Sequence, residues 1–137
     1  MRRWLVHREV PSPNWNERKL PVSMVVLHYT GMESGQAALD RLCDPAAEVS
    51  AHYMIDEDGT VTGLVDEAKR AWHAGRSSWR GVTDVNSASV GIELVNPGHE
   101  FGYCPFPDAQ IEALLPDRKS TRLNSSHTDI SRMPSSA

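Results

Sequence analysis

Met24-Val25-Val26-Leu27-His28-Tyr29 is a continuous apolar run that closes on a polar residue. It is too short for a helix and rich in β-branched side chains, so it reads as a buried strand. Thr30-Gly31 breaks it. A second strand follows far downstream: in Ser89-Val90-Gly91-Ile92-Glu93-Leu94-Val95, Val90, Ile92 and Leu94 alternate with Ser89, Gly91, Glu93 and Val95. Asn96-Pro97-Gly98 stops it. Between the two, His52-Tyr53-Met54-Ile55 and Thr60-Val61-Thr62-Gly63-Leu64-Val65 flank Asp56-Glu57-Asp58-Gly59. An acidic tight loop ending in Gly between strand-like runs predicts a β-hairpin. Ser34-Gly35 opens a short helix carrying Ala37, Ala38, Leu39 and Leu42, which Pro45 ends, and Pro107-Asp108 starts another that Pro116 cuts after about two turns. Strands interleaved with short helices predict an α/β fold: a central mixed β-sheet flanked by helices, in a single domain. Val25, Val26, Leu27, Ile55, Val61, Val90, Ile92 and Leu94 are its expected core.

The 137 residues suffice for one compact domain. Composition is that of a globular chain, 39% hydrophobic and 23% charged with a net charge of −4. The weak acidity and dispersed Lys and Arg argue against nucleic acid or an anionic membrane as partner. No apolar run approaches the roughly 20 residues that span a bilayer. Arg2 and Arg3 precede no apolar stretch, so the sequence as given predicts a cytoplasmic protein, or a periplasmic one if its true start lies upstream. A monomer is the default. Cys43 and Cys104 are far apart and form no CxxC, so both read as reduced packing residues.

The chain divides into an irregular lead-in over 1–21, where Pro11, Pro13 and Pro21 recur, the domain itself over 22–115, and a tail over 116–137. The tail is rich in Ser, lacks an apolar period and resembles a translated read-through end. It is expected to be disordered and to contribute little to the fold. Residues 75–88, rich in Gly, Ser and Asn, read as a surface loop.

No HExxH, GxSxG, Walker A or GxGxxG motif is present. The six His, at 7, 28, 52, 73, 99 and 127, are too dispersed for a local metal pair on one helix. His28 ends a buried strand, where it is either a ligand or base at a sheet-edge pocket or a hydrogen-bonded core ring. Glu93 interrupts an apolar alternation, so it faces either solvent or a functional cleft, because burying an ionised carboxylate alone costs several kcal/mol. Gly91 shares the face of Glu93, which something else can therefore approach closely. Trp72-His73-Ala74-Gly75 either lines a pocket or caps the sheet.

Four segments in order, Val25-Val26-Leu27-His28-Tyr29-Thr30, Val49-Ser50-Ala51-His52-Tyr53-Met54-Ile55, Arg70-Ala71-Trp72-His73-Ala74-Gly75 and Val90-Gly91-Ile92-Glu93-Leu94, resemble successive motifs of the zinc-dependent N-acetylmuramoyl-L-alanine amidase family. Asn96-Pro97-Gly98-His99-Glu100 and Phe106-Pro107-Asp108-Ala109-Gln110-Ile111 extend the likeness to the branch that recycles anhydro-muropeptides. The resemblance covers about residues 10–115. It implies a Zn²⁺ cofactor, a peptidoglycan or muropeptide substrate, and hydrolysis of the amide between N-acetylmuramic acid and L-alanine. It implies His28 as a zinc ligand, Glu93 as the catalytic carboxylate, and Trp72 and His73 as substrate-binding residues. Neutral imidazole keeps Zn²⁺ acidic enough to activate water, and a carboxylate can take the proton. In the phage and animal branches a Tyr stands two positions before the one matching Tyr53; here that position is Ala51, which leaves the role to Glu93.

The family's other two ligands belong to a C-terminal segment to which this sequence shows no full counterpart. His127-Thr128-Asp129-Ile130 and Pro116-Asp117-Arg118-Lys119 mimic parts of it by chance. One imidazole does not hold zinc tightly where a tetrahedral site needs three protein ligands. The chain as given is therefore expected to bind zinc weakly and to hydrolyse nothing. Two other readings accompany the enzyme: a non-catalytic peptidoglycan-binding module, and an inactive truncated product.

Overall fold

The computed structural model describes residues 4–98, residues 104–115 and the backbone of 130–134. Its elements are β1 (Arg8–Glu9), β2 (Trp15–Glu17), β3 (Met24–Tyr29), α1 (Gly35–Leu42), a 3-10 turn (Pro45–Ala47), β4 (Tyr53–Ile55), β5 (Val61–Gly63), β6 (Lys69–Ala71), α2 (Val85–Ala88), β7 (Ser89–Leu94), α3 (Asp108–Leu114) and β8 (Ile130–Pro134). Six strands form the main sheet in the order β1-β5-β4-β7-β3-β8, while β2 and β6 make a separate ribbon. The sheet is mixed. Strands β4, β7, β3 and β8 run parallel, β5 returns antiparallel to β4, and β1 pairs parallel with β5.

The two long strands form where the apolar runs predict, and they lie side by side. Met24 pairs with Ser89, and the register continues to His28 with Glu93 and Tyr29 with Leu94. Because side chains alternate along a strand and register partners share a face, the pairing sorts the sequence into two layers. One face carries Val25, Leu27, Val90, Ile92, Leu94, Tyr53, Ile55 and Val61. Leu27, the last six of these and Leu114 of α3 form one buried cluster, against which the half-buried Val25 and Trp4 pack. The other face carries Met24, Val26, His28, Ser89, Gly91, Glu93 and Met54. Here Met24 and Val26 pack against Ala74, Val85 and Ala88, while Met54 packs against Ala38, Leu39 and Leu42 of α1. The expected core is thus divided by the sheet, with Val26 facing away from the rest.

Local chemistry explains the connections. Ser34 caps α1 by accepting from the Ala37 amide at 3.1 Å. The 56–59 turn closes with the Gly59 amide donating to the Asp56 carbonyl at 2.9 Å. Gly59 adopts φ +90°, which favours a residue without Cβ. Gln110 of α3 is fully buried and donates to the carbonyls of Ile55 and Val95 at 2.9 and 3.1 Å.

Three expectations need correcting. The lead-in is not merely irregular: β1 extends the main sheet and β2 pairs with β6. Within 75–88 lies α2, whose four residues are all buried. Its apolar content is too small to show a period, and Asp84 starts it by accepting from the Ser87 amide. In the tail set aside from the fold, Ile130–Pro134 takes a place as β8 beside β3. The free edge of a parallel strand offers a ladder of backbone donors and acceptors that needs no particular side chains. Residues 116–129 and 135–137 lie outside the described residues.

Arg18 ties the lead-in to this frame. Its guanidinium and Nε donate to the carbonyls of Glu67, Asn86, Ser87 and Ser89. Arg18→Met should leave these carbonyls without their donor and lower stability by roughly 2–4 kcal/mol, given the cost of unsatisfied buried acceptors. Urea unfolding would measure it, and an unchanged midpoint would show the contacts to be dispensable.

Candidate active site

Parallel pairing of β3 with β7 sets His28 and Glu93 opposite one another on one face of the sheet. Met54 of β4 stands beside Glu93 in the next strand. His28 and Glu93 are 2% and 1% exposed, so neither is a solvated side chain. The sequence left Glu93 open between solvent and a cleft, and burial removes the solvent alternative; for His28, read as either a site residue or a hydrogen-bonded core ring, burial is compatible with both.

His73, in the loop after β6, lies over the same face. Its ring occupies the space that a side chain at 91 would fill: a Cβ on Gly91 would come within 2.4 Å of its Cδ2. The close approach expected at Gly91 is therefore made by the protein itself. His73 Nδ1 lies 2.9 Å from His28 Nε2, and its Nε2 lies 3.0 Å from Ser89 Oγ. Its backbone amide and that of Ala74 both donate to Asn86 Oδ1, at 3.0 and 2.9 Å. Helix α2 thus fixes the loop, and Asp84, which caps α2, is itself held by Arg70 at 2.9 Å.

Trp72 turns the other way. Its indole donates to Asn16 Oδ1 at 3.1 Å and its amide to Ser50 Oγ at 2.9 Å. It lines a groove of about 410 Å³ together with Asn16, Glu48, Arg70, Gly75 and Asn86. The adjacent residues Trp72 and His73 therefore face different spaces, the first a groove wall and the second the sheet.

His52 is a further buried ring whose part the sequence did not disclose. Its Nδ1 accepts from the Gly91 amide at 3.0 Å, so its Nε2 bears the proton and donates to the Lys69 carbonyl at 2.8 Å. Arg18 Nη2 is 3.0 Å from the same nitrogen. Burial pushes the His52 pKa down to about 4; the Lys69 carbonyl opposes that shift and Arg18 adds to it. His73 also lies well below the ordinary range, first through burial and then through the neighbouring His28 and His52. Arg18, Ser89 and Asn86 were missed as well. They act through backbone carbonyls, backbone amides or a buried ring, and such contacts leave no sequence period.

Among the described residues, no group of three or more His, Cys, Asp or Glu is arranged to hold a metal ion. His28 suits zinc as a single imidazole ligand, but these residues do not assemble the three protein ligands a tetrahedral site requires.

Residues 18–116 match the family described as N-acetylmuramoyl-L-alanine amidase. The chain belongs to this family. It is 37% identical over 107 residues to N-acetylmuramoyl-L-alanine amidase AmiD of Escherichia coli, a match covering 69% of this chain and 38% of AmiD. It is 32% identical over 126 residues to the 1,6-anhydro-N-acetylmuramyl-L-alanine amidase AmpD of Haemophilus influenzae, covering 78% of this chain and 66% of that one. The chain thus spans between 38% and 66% of the length of these two curated relatives. A crystal structure of an AmpD derivative superposes with a TM-score of 0.74 at 29% identity, covering 94% of this chain and 82% of that one. AmiD of E. coli, solved with the substrate anhydro-N-acetylmuramic acid-L-Ala-D-gamma-Glu-L-Lys, superposes at 0.67 with 34% identity, covering 81% of this chain and 48% of that one. The mixed sheet with flanking helices is the fold of these amidases.

Two outcomes test this geometry. Gly91→Ala should force the His73 ring off the sheet and cost roughly 1–3 kcal/mol, the usual penalty of overpacking; a variant as stable as the parent would contradict the close approach. The His52 shift predicts a pH dependence. The folded pKa is below the unfolded value, so the unfolded chain binds the proton first, and stability falls as pH drops from about 6.5 towards 4. His52→Asn should flatten part of that fall while its amide oxygen still accepts from Gly91. Urea midpoints between pH 7 and 4 would show an unaltered slope if the assignment is wrong.

Proposed function

We propose that this domain carries the active site of a zinc-dependent amidase, which hydrolyses the amide between N-acetylmuramic acid and L-alanine in peptidoglycan or muropeptides. The observation that carries the reading is the register pairing of His28 with Glu93 on one buried face. An imidazole and a carboxylate there suit hydrolysis of an unactivated amide. Relatives with the same fold bear this activity in their names, and one is solved with an anhydro-muramyl peptide.

In this reading His28 is one zinc ligand, and the family's other two belong to the C-terminal segment to which this sequence shows no full counterpart. Zinc, when bound, would supply Lewis acidity. Glu93 takes a proton from the attacking water and returns it to the departing amine of L-alanine. Trp72 offers an aromatic wall to the substrate in its groove, and His73 supports the site from behind.

A second reading, a peptidoglycan-binding module without turnover, is favoured by one observation: no three-ligand group exists among the described residues. One experiment separates the two. The chain, completed with a family-like C-terminal segment that carries the other two ligands, is titrated with Zn²⁺ by calorimetry, then incubated with anhydro-N-acetylmuramyl tripeptide while release of the free tripeptide is followed. The amidase reading expects His28→Ala to weaken zinc binding at least tenfold. It expects Glu93→Gln to keep zinc and lose turnover by about 10²–10⁴-fold, the usual worth of a general base. Binding of the muropeptide with no release of tripeptide at saturating zinc would instead establish the second reading.

A further inference from the structure

The hydrogen bonds behind His28 determine which of its nitrogens can act. Ser89 Oγ lies 2.6 Å from the Val85 carbonyl oxygen. A carbonyl only accepts, so the single hydroxyl proton of Ser89 lies on that bond. The Ser89 oxygen then has only lone pairs to offer His73 Nε2, 3.0 Å away, and that nitrogen must bear a proton. His73 is 3% exposed, and burial disfavours the doubly protonated ring, so its Nδ1 carries the lone pair. His28 Nε2, 2.9 Å from that lone pair, must therefore be the donor. The ring of His73 cannot slide away from this line, because it is seated on Gly91 from below and its backbone is held by Asn86.

We propose that His73 is a positioning residue: Ser89 and Gly91 hold it so that His28 keeps its proton on Nε2 and its lone pair on Nδ1. The relay runs from the Val85 carbonyl through Ser89 and His73 to His28, every proton pointing back towards Val85. Its product is a neutral imidazole with one defined nitrogen able to bind a cation or accept a proton. A second hydrogen-bonded group that fixes the tautomer of a functional imidazole is a general device. A neutral histidine in that supporting place can accept from one ring and donate to another group at the same time. A serine there, able to donate or to accept, would leave the choice of tautomer less constrained. The functional weight of this inference rests on His28 being the imidazole of the site. Its geometry does not.

The test uses the metal-free chain without substrate, so its outcome is independent of zinc binding and turnover. Histidine-labelled protein is examined by long-range ¹H–¹⁵N correlation above pH 7, where the ring nitrogens bearing and lacking protons are directly distinguished. In the parent chain, His28 and His73 should both be protonated on Nε2. Ser89→Ala removes the acceptor of His73, and the proton populations of both rings should shift towards Nδ1. His73→Asn places an amide oxygen near the former Nδ1 and should preserve the His28 tautomer, whereas His73→Leu should release it into a mixture. If His73→Leu fails to fold, the parent chain and Ser89→Ala still decide. A parent His28 protonated on Nδ1, or a His28 tautomer unmoved by Ser89→Ala and by every folded His73 variant, would overturn the proposal.

Discussion

The ring of His73 resting on the bare backbone of Gly91 is the contact on which the site depends. A Cβ at that position would overlap three atoms of the imidazole at 2.4 to 2.7 Å. Because Gly91 gives way, a polar ring can lie flat against the middle of a β-sheet and still reach His28 on the neighbouring strand. The contact also fixes the loop after β6, since the same loop is tied to Asn86 by two amides. A glycine in the middle of a strand weakens the strand by itself, losing side-chain packing and adding backbone entropy to the unfolded chain. Here that cost accompanies a layer of buried polar groups on one face of β7, while the opposite face of the same strand is wholly apolar.

That asymmetry divides the molecule. Val90, Ile92 and Leu94 join the cluster that packs on α3, and each is nearly inaccessible. Ser89, Gly91 and Glu93 look towards His73, His28 and α2. The buried polar face draws its hydrogen-bond partners from the chain itself. His52 accepts from Gly91 and donates to Lys69, while Arg18 collects carbonyls at the end of α2. Buried polar groups of this density are retained at a cost in stability, which is expected of a site whose groups must be oriented before a ligand arrives.

Much of this was legible in the residues. The strand 24–29 and the strand 89–94 were set by apolar pattern, the hairpin by Asp56-Glu57-Asp58-Gly59, and α1 by its Ser34 cap. Glu93 stood out as a carboxylate within an apolar alternation, and Gly91 as a place for close approach. What could not be read were partners distant in sequence. Arg18 sits among prolines and asparagines with no period, α2 is a four-residue helix too short to show one, and β1 and β2 are two- and three-residue strands made by pairing rather than by propensity. Strand β8 is a backbone pairing whose segment carries no strand pattern. The tautomers of His52, His73 and His28 follow from distances of 2.6 to 3.0 Å between groups up to 45 residues apart, which no spacing rule discloses.

In the proposed function, the polar face of β3 and β7, with the groove beside Trp72, is the surface on which this amidase-family domain would meet a muropeptide. Titrating an anhydro-N-acetylmuramyl peptide into ¹⁵N-labelled Glu93→Gln protein, which should bind without turnover, tests it most directly. Binding on this face should produce amide shifts centred on residues 28–30, 72–75 and 93–95. Shifts gathered instead on the opposite face, around Tyr53, Ile55 and Leu114, would contradict it.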